Sequence, residues 1–275
     1  MSVLDDTGAT VTLAAPAKRI VSLAPHATEL LFAAGAGPRV VAVTEYSDFP
    51  PAATKLPRIG GYNAVDLERI VALKPDLVVA WASGNPKAQV DRIKALGIPV
   101  FLSEPRKFET IATNLERLGM LAGTAPDGAR AASTLREGLS RLRTRHQNLP
   151  PLRVFYQVWS DPLQTLNGQH LVSEVLRLCG GTNIFANLEP IAPTVTREAV
   201  LKAAPEAILT GREPDTDKGS LDAWKAWPQL PAVAHDNLFY VNGDYLNRPG
   251  PRILAGAEEV CGRLETARQH ARPPR

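Results

Sequence analysis

A fifteen-residue pattern occurs twice in this chain, and the repeat constrains the fold more than any other feature. It reads LERIVALKPDLVVAW at residues 67–81 and REAVLKAAPEAILTG at residues 197–211. Each copy has helical apolar spacing, then a proline followed by an acid, then an apolar run typical of a buried strand. When the two copies are aligned in sequence, Pro75 matches Pro205 and Glu68 matches Glu198. The repeat therefore predicts two lobes built alike.

A second pair of segments supports the repeat. TELLFAAG at residues 28–35 aligns with SEVLRLCG at residues 173–180, and a glutamate and a glycine match in each. Amphipathic segments can resemble one another by chance. Two matched segments in the same order make duplication the better explanation. We expect Thr28 or a neighbour to cap the first of these helices and Gly35 to close it.

Strands and helices alternate over residues 19–122 and again after residue 153. This alternation predicts parallel sheets with helices on both faces. Residues 127–148 instead form one long helical pattern, roughly 30 Å in length. The predicted fold class is α/β, with two similar lobes joined by one long rigid helix. The expected boundaries are 1–124 for the first lobe, 125–149 for the helix and 150–275 for the second lobe.

Composition excludes several classes of protein. A hydrophobic fraction of 44% and a charged fraction of 21% are typical of a globular protein with real cores. The net charge of +3 is spread along the chain, with no basic stripe among aromatics, so nucleic-acid binding is not expected. The densest basic cluster is interpreted as a solvated helix face; it consists of Arg141, Arg143, Arg145 and His146.

The sequence does not decide the cellular location of the protein. No apolar run approaches the roughly 18–20 residues that span a bilayer. The first residues lack the basic and then apolar pattern of a signal peptide. Two alternatives remain, a cytosolic protein or a protein whose signal has been removed.

Catalytic motifs are missing from the sequence. It has no Gly-rich phosphate loop, no G-x-S-x-G motif and no H-E-x-x-H motif. The 5 histidines form no His-rich loop, which argues against a dedicated zinc or manganese site. A two-lobed metal-binding or oxidoreductase-like component remains an alternative by architecture alone, without clustered cysteine ligands. We therefore expect a binding protein with no cofactor and not an enzyme.

The 2 cysteines, Cys179 and Cys261, both lie in helical patterns of the second half. They are either two unrelated buried thiols or one disulfide, which would indicate an oxidising compartment. We favour the disulfide because the pair is confined to one half of the chain.

A ligand site is expected at the carboxyl ends of the parallel strands. Tyr46 and Trp81 fall at such ends, which favours a site over a core position. His26 follows the first strand, where a neutral imidazole could ligate a metal from an axial side. More often such a histidine hydrogen-bonds a ligand or caps a helix.

These features resemble the helical-backbone class of periplasmic substrate-binding proteins, which feed ABC importers of vitamin B12, iron–siderophores, haem and some metals. Within the class, the vitamin B12-binding members are most similar, through YSDFPP at residues 46–51, Trp81 and the cysteine pair. The likeness extends over residues 19 to about 265, and its segments are residues 19–35, 46–51, 66–81, 178–185 and 251–254.

The resemblance implies a periplasmic monomer that captures cobalamin or a related corrinoid in the cleft between its lobes. Cobalamin is a large disc with apolar faces and a rim of amides, so aromatic walls and a few polar anchors suit it. By resemblance, Tyr46, Tyr62 and Trp81 line the cleft from the first lobe, and Asp244 and Arg248 from the second. An ordinary surface ion pair between Asp244 and Arg248 is the alternative.

Two departures from the vitamin B12-binding pattern keep other ligands open. That pattern usually has tryptophan where this chain has Tyr62, and another where this chain has residues 191–193, Ile-Ala-Pro. Trp159 is an aromatic residue that the pattern lacks, in partial compensation. A corrinoid remains favoured, with haem or a ferric siderophore as the alternative.

The resemblance also implies a Cys179–Cys261 disulfide and a membrane partner. Glu68 and Glu198, one on each lobe, would dock onto arginines of an ABC permease dimer in the inner membrane. Duplicated acids suit a partner with pseudo-twofold symmetry. The simpler alternative is that each glutamate is favoured by the dipole of a first helical turn.

Overall fold

Residues 1–212 and 221–271 are described by a computed structural model of the chain. The chain divides into two units, bounded as Met1–Arg136 and Glu137–Arg275. The boundary falls inside helix α5 (Ala125–His146), a helix of 22 residues. At 1.5 Å per residue this helix is about 33 Å long.

The first unit contains a four-stranded parallel sheet in the order β4-β3-β7-β8, with helices around it. Hairpins β1–β2 and β5–β6 are antiparallel. The strands are β1 (Ser2–Leu4), β2 (Thr10–Thr12), β3 (Ile20–Ser22), β4 (Val40–Val43), β5 (Gly60–Gly61), β6 (Ala64–Val65), β7 (Leu77–Trp81) and β8 (Val100–Ser103). The helices before α5 are α1 (Pro25–Ala33), α2 (Leu67–Ala72), α3 (Lys87–Ala95) and α4 (Phe108–Ala122).

The second unit contains a four-stranded parallel sheet in the order β12-β9-β13-β14, and a small antiparallel hairpin, β10–β11. The strands are β9 (Leu152–Gln157), β10 (Trp159–Ser160), β11 (Leu163–Gln164), β12 (Gly181–Asn183), β13 (Ala207–Arg212) and β14 (Leu238–Asn242). The helices are α6 (Leu171–Leu178), α7 (Arg197–Ala203), α8 (Pro231–Ala234), α9 (Gly243–Asn247) and α10 (Ile253–His270).

The two sheets have the same topology, which confirms the predicted duplication. In each, the first strand of the sheet lies between the second and the third, and the fourth lies at the far edge. The repeated pattern forms α2 and β7 in one unit and α7 and β13 in the other. The expected α/β fold with two similar lobes is thereby confirmed.

The acid that follows the proline has the same structural task in both copies. Asp76 accepts hydrogen bonds from the backbone N–H groups of Lys18 and Arg19 at 2.7 and 3.0 Å. Glu206 accepts one from the backbone N–H of Arg153 at 2.9 Å. Each acid therefore ties the helix–strand unit to the start of the first sheet strand, which explains why both copies carry it.

Helix ends also match between the units. Gly35 after α1 has φ +79°, and Gly180 after α6 has φ +72°, so both occupy the left-handed region that glycine tolerates best. The residues before the two repeat prolines, Lys74 and Ala204, both have φ +46°. Equivalent turns thus close equivalent helices.

Each repeat helix is held by one buried apolar side chain at the same position, Ile70 in α2 and Val200 in α7. Ile70 packs in the first core beside Val21 and Val78. Val200 packs in the second core beside Phe155 and Trp224. Burial of such a side chain stabilises by about 1.5–3 kcal/mol.

The predicted disulfide is present. Cys179 follows α6 and Cys261 lies within α10, and their Sγ atoms are bonded at 2.04 Å. The bond connects two helices of the second unit, as the cysteine positions suggested.

Two local predictions were wrong. Thr28 is not a cap, because α1 begins at Pro25, a residue suited to the first helical position. The Thr28 hydroxyl is buried and donates to Oγ of Ser22 at 2.9 Å. His146 is not solvated; its ring is buried, with Nδ1 2.7 Å from the Leu142 carbonyl and Nε2 2.9 Å from Glu265.

Candidate ligand-binding site

Three aromatic side chains meet at the carboxyl edge of the first sheet. Trp81 is the last residue of β7, His26 is the second residue of α1, and Tyr62 lies in the turn between β5 and β6. The ring centroids of His26 and Trp81 are 5.6 Å apart in an edge-on arrangement, and those of Tyr62 and Trp81 are 5.7 Å apart and tilted. We call His26, Tyr62 and Trp81 the aromatic cluster.

Two residues of the aromatic cluster are accessible to solvent. Tyr62 is 38% exposed and Trp81 is half-buried, whereas His26 is only 3% exposed. Exposed aromatic rings offer a large and rigid contact area to an apolar ligand.

Tyr46 lies three residues beyond β4 and is 68% exposed. Its φ of +62° is uncommon for a bulky residue. Strained residues of this kind concentrate at functional sites. The two ring contacts that define the aromatic cluster do not involve Tyr46.

His26 is a neutral, buried side chain in edge-on contact with Trp81. Desolvation by burial lowers its pKa from 6.5 to about 3. Its Nε2 lies 3.2 Å from Oγ of Ser103. This environment favours a role in positioning Trp81 over axial ligation of a metal.

Asp244 and Arg248 lie at the carboxyl edge of the second sheet, directly after β14. Asp244 belongs to the first turn of α9, which the side chain of Asn242 caps at 3.0 Å. Nη2 of Arg248 lies 3.1 Å from Oδ1 of Asp244. The ion pair that the sequence left as an alternative is therefore formed, at a position where ligand contacts are expected.

Trp159 lies in the hairpin β10–β11 and is 59% exposed. It pairs with Gln164, and Gln164 in turn forms a bridge to Thr194. Two strand spacings, about 10 Å, therefore separate Trp159 from the segment next to residues 191–193. This is the segment where the resemblance expects a tryptophan that the chain lacks.

Glu68 and Glu198 occupy the same position in α2 and α7. Each is the second helical residue, after the N-caps Asp66 and Thr196, and each is exposed. Hydrogen bonds from its own backbone N–H and from the Thr196 hydroxyl hold the pKa of Glu198 below its usual value. Both acids are therefore accessible, and both complement a helix N-terminus.

Sequence reasoning missed the residues that support the aromatic cluster. Asn85 is buried, and its side chain contacts the backbone of both Trp81 and Tyr62. Gly84 lies directly against the Trp81 indole. The Ser-Gly-Asn-Pro stretch at residues 83–86 is a turn signal, which predicts a loop and none of these contacts.

Residues 1–212 and 221–271 contain neither a metal-ligand cluster nor a membrane-spanning helix. No group of three or more His, Cys, Asp or Glu side chains there is close enough to hold a metal ion. No helix in those ranges combines the length and apolar character needed to cross a membrane.

Comparisons with known proteins identify the family. The family described as "Periplasmic binding protein" matches residues 20–245. The vitamin B12-binding protein of Vibrio cholerae serotype O1 is 42% identical over 254 residues, which cover 92% of this chain and 91% of that protein. The vitamin B12-binding protein of Vibrio parahaemolyticus is 39% identical and covers 92% of each chain.

Solved structures agree with this fold. The crystal structure of the periplasmic vitamin B12-binding protein BtuF of Vibrio cholerae matches with a TM-score of 0.85 and 42% identity, over 92% of this chain and 99% of that one. The periplasmic haem-binding protein RhuT from Roseiflexus sp. RS-1 matches with a TM-score of 0.80 and 23% identity, over 91% and 99%. At that identity the second match shows the fold alone. The chain belongs to the periplasmic binding protein family, a family of binding proteins and not of enzymes.

Proposed function

We propose that this chain is the substrate-binding protein of an ABC importer and captures cobalamin or a related corrinoid. The observation that carries the proposal is the 42% identity to a vitamin B12-binding protein over 92% of the chain. The haem-binding neighbour, at 23% identity, offers no comparable support for haem.

The aromatic cluster supports a corrinoid as ligand. Tyr62 is exposed and Trp81 is partly exposed, and Tyr46 is the most exposed aromatic residue at the carboxyl edge of the same sheet. A flat apolar ligand buries much area against such rings at little cost in side-chain entropy. These three residues are the proposed contacts from the first unit.

The second unit would contribute Asp244, Arg248 and Trp159. Arg248 and Asp244 form an ion pair, so a ligand amide can form a hydrogen bond with either side chain without leaving a buried, unpaired charge. Trp159 is exposed beside the segment that lacks the expected tryptophan, which supports its use as a replacement ring.

We further propose a periplasmic monomer whose lobes, residues 1–124 and 150–275, are connected in the chain by the helical segment 125–149. The Cys179–Cys261 disulfide supports an oxidising compartment, because such bonds are rare in reducing cytosol.

Calorimetry tests the ligand. Cyanocobalamin, cobinamide, haemin and ferric siderophores are titrated into the protein under matched conditions. We expect binding of a corrinoid, and a loss of roughly 30-fold or more for Trp81→Ala, the effect of removing an aromatic contact worth about 2 kcal/mol. Trp227→Phe, a conservative change at a partly buried tryptophan of the second core, is the control. Clear binding of haemin or a siderophore with no measurable corrinoid binding would end the proposal.

Glu68 and Glu198 are proposed to dock onto the permease. The double variant Glu68→Lys/Glu198→Lys should abolish transport by the reconstituted importer and leave corrinoid affinity unchanged. Asp91→Lys/Asp222→Lys is the matched control, because it alters two other exposed helical acids and changes the net charge equally. Loss of corrinoid affinity in the first variant, or equal loss of transport in both, contradicts the docking role.

A further inference from the structure

Asn85 is a buried amide, only 6% exposed, that is not among the proposed ligand contacts. It lies in the turn after β7, and its own N–H donates to the Trp81 carbonyl at 3.0 Å. Oδ1 accepts a hydrogen bond from the N–H of Trp81 at 2.6 Å. Nδ2 donates to the carbonyls of Leu23 at 3.0 Å and Tyr62 at 2.6 Å. One side chain thus connects three separate segments.

The three segments are the ones that carry the aromatic cluster. Trp81 ends β7, Leu23 lies between β3 and His26, and Tyr62 lies in the β5–β6 turn. An amide is suited to this task because it offers both an acceptor and two donors. Aspartate has the same shape but only accepts, so it loses both bonds to carbonyls.

Gly84 complements Asn85. A Cβ atom at Gly84 would lie 1.9 Å from Cε3 and 2.3 Å from Cδ2 of Trp81. The indole therefore lies against the bare backbone of Gly84, and any larger residue must displace it. Asn85 holds the backbone of Trp81, and Gly84 leaves the space for its ring.

We propose that Asn85, together with Gly84, is a positioning element that fixes Trp81 and Tyr62 relative to each other before any ligand binds. The ring pair is then a preorganised wall, and ligand binding does not have to order it. The expected effect on corrinoid dissociation rests on the proposed function. The expected effect on the positions of Trp81 and Tyr62 is measured in the ligand-free protein.

The first readout is the state of Trp81 without ligand. The protein is labelled with 5-fluorotryptophan, and the ¹⁹F resonance of Trp81 is assigned with Trp81→Phe. We expect Asn85→Asp and Gly84→Ala to shift or broaden this resonance, while the resonances of the other tryptophans stay unchanged.

The second readout is corrinoid dissociation. We expect Asn85→Asp to raise the dissociation rate by about tenfold or more. In the variant, Trp81 and Tyr62 must be ordered when the ligand binds, which lowers affinity. Affinity differences between variants of one site appear mostly in the dissociation rate. Gly84→Ala should act in the same direction and keeps the test valid if Asn85→Asp does not fold.

Asn183 provides a matched control in the second unit. It is equally buried at 6%, and its Nδ2 donates to the Leu166 carbonyl at 2.7 Å and to Ser173 at 2.8 Å. Asn183→Asp should lower stability and leave the Trp81 resonance and the dissociation rate unchanged.

An unchanged Trp81 resonance in folded Asn85→Asp and Gly84→Ala overturns the inference, as does an equal effect from Asn183→Asp. If the wild-type protein binds no corrinoid, the proposed function fails, and the ¹⁹F readout still decides the role of Asn85.

Discussion

Acidification should destabilise this protein through His26. The ring is 3% exposed, and burial lowers its pKa in the folded state to about 3, against 6.5 as the ordinary value. Between these values the unfolded chain binds a proton at His26 and the folded chain does not. Stability therefore falls as the pH drops below about 6.5 and is fully present above it.

The expected loss follows from linkage. Each pH unit in this window costs about 1.4 kcal/mol, so His26 alone should lower the free energy of unfolding by about 2 kcal/mol between about pH 7.5 and about pH 5. His26→Gln removes the titrating group and keeps a polar partner for Ser103. Other titrating groups contribute to both proteins and cancel in the difference.

Urea unfolding of the wild type and His26→Gln at both pH values measures this difference. The free energy of unfolding of the wild type relative to the variant should fall by about 2 kcal/mol on acidification. NMR of the His26 Cε1–H resonance gives a direct check, since it should not titrate over this range. A titration midpoint near the ordinary value, or a difference in stability that does not change with pH, would refute the reasoning.

Further predictions concern the second unit and the repeat. Replacing Cys179 and Cys261 by serine opens a closed loop of sequence separation 82 and should lower stability by about 4–5 kcal/mol in the chain-entropy model, measured by calorimetry against the disulfide-bonded wild type; a variant as stable as that protein contradicts this account. Asp76→Ala and Glu206→Ala should each cost about 1–3 kcal/mol in urea unfolding, with the larger loss at Asp76, which accepts two backbone bonds; a smaller loss there contradicts this account. Trp224→Phe removes a buried hydrogen bond of 2.8 Å and should lower the unfolding midpoint by the equivalent of about 1 kcal/mol or more, and no change would count against that bond.

The repeat was readable from the sequence because its signals are local. Apolar spacing marks a helix or a strand, and a proline ends a helix, wherever the segment later packs. The task of Asp76 and Glu206 was not readable. Each binds the start of a strand that lies more than fifty positions away in the chain, at separations of 58 and 53 residues.

Strand-end reasoning located Trp81 and His26 near the proposed site but did not reveal their environments. The same limit explains the errors at Thr28 and His146, whose burial depends on neighbours from other elements. A side chain's burial is decided by everything that packs around it, which no local pattern contains.

The sequence by itself determined the two-lobed α/β fold, the matching of Glu68 with Glu198 and the aromatic character of the candidate site. Only the tertiary structure decided that His26 is neutral and that Asn85 connects three segments, at separations of 62, 23 and 4 residues. Local patterns follow from the chain's own periodicity, whereas desolvation and long-range hydrogen bonds exist only once distant segments have packed together.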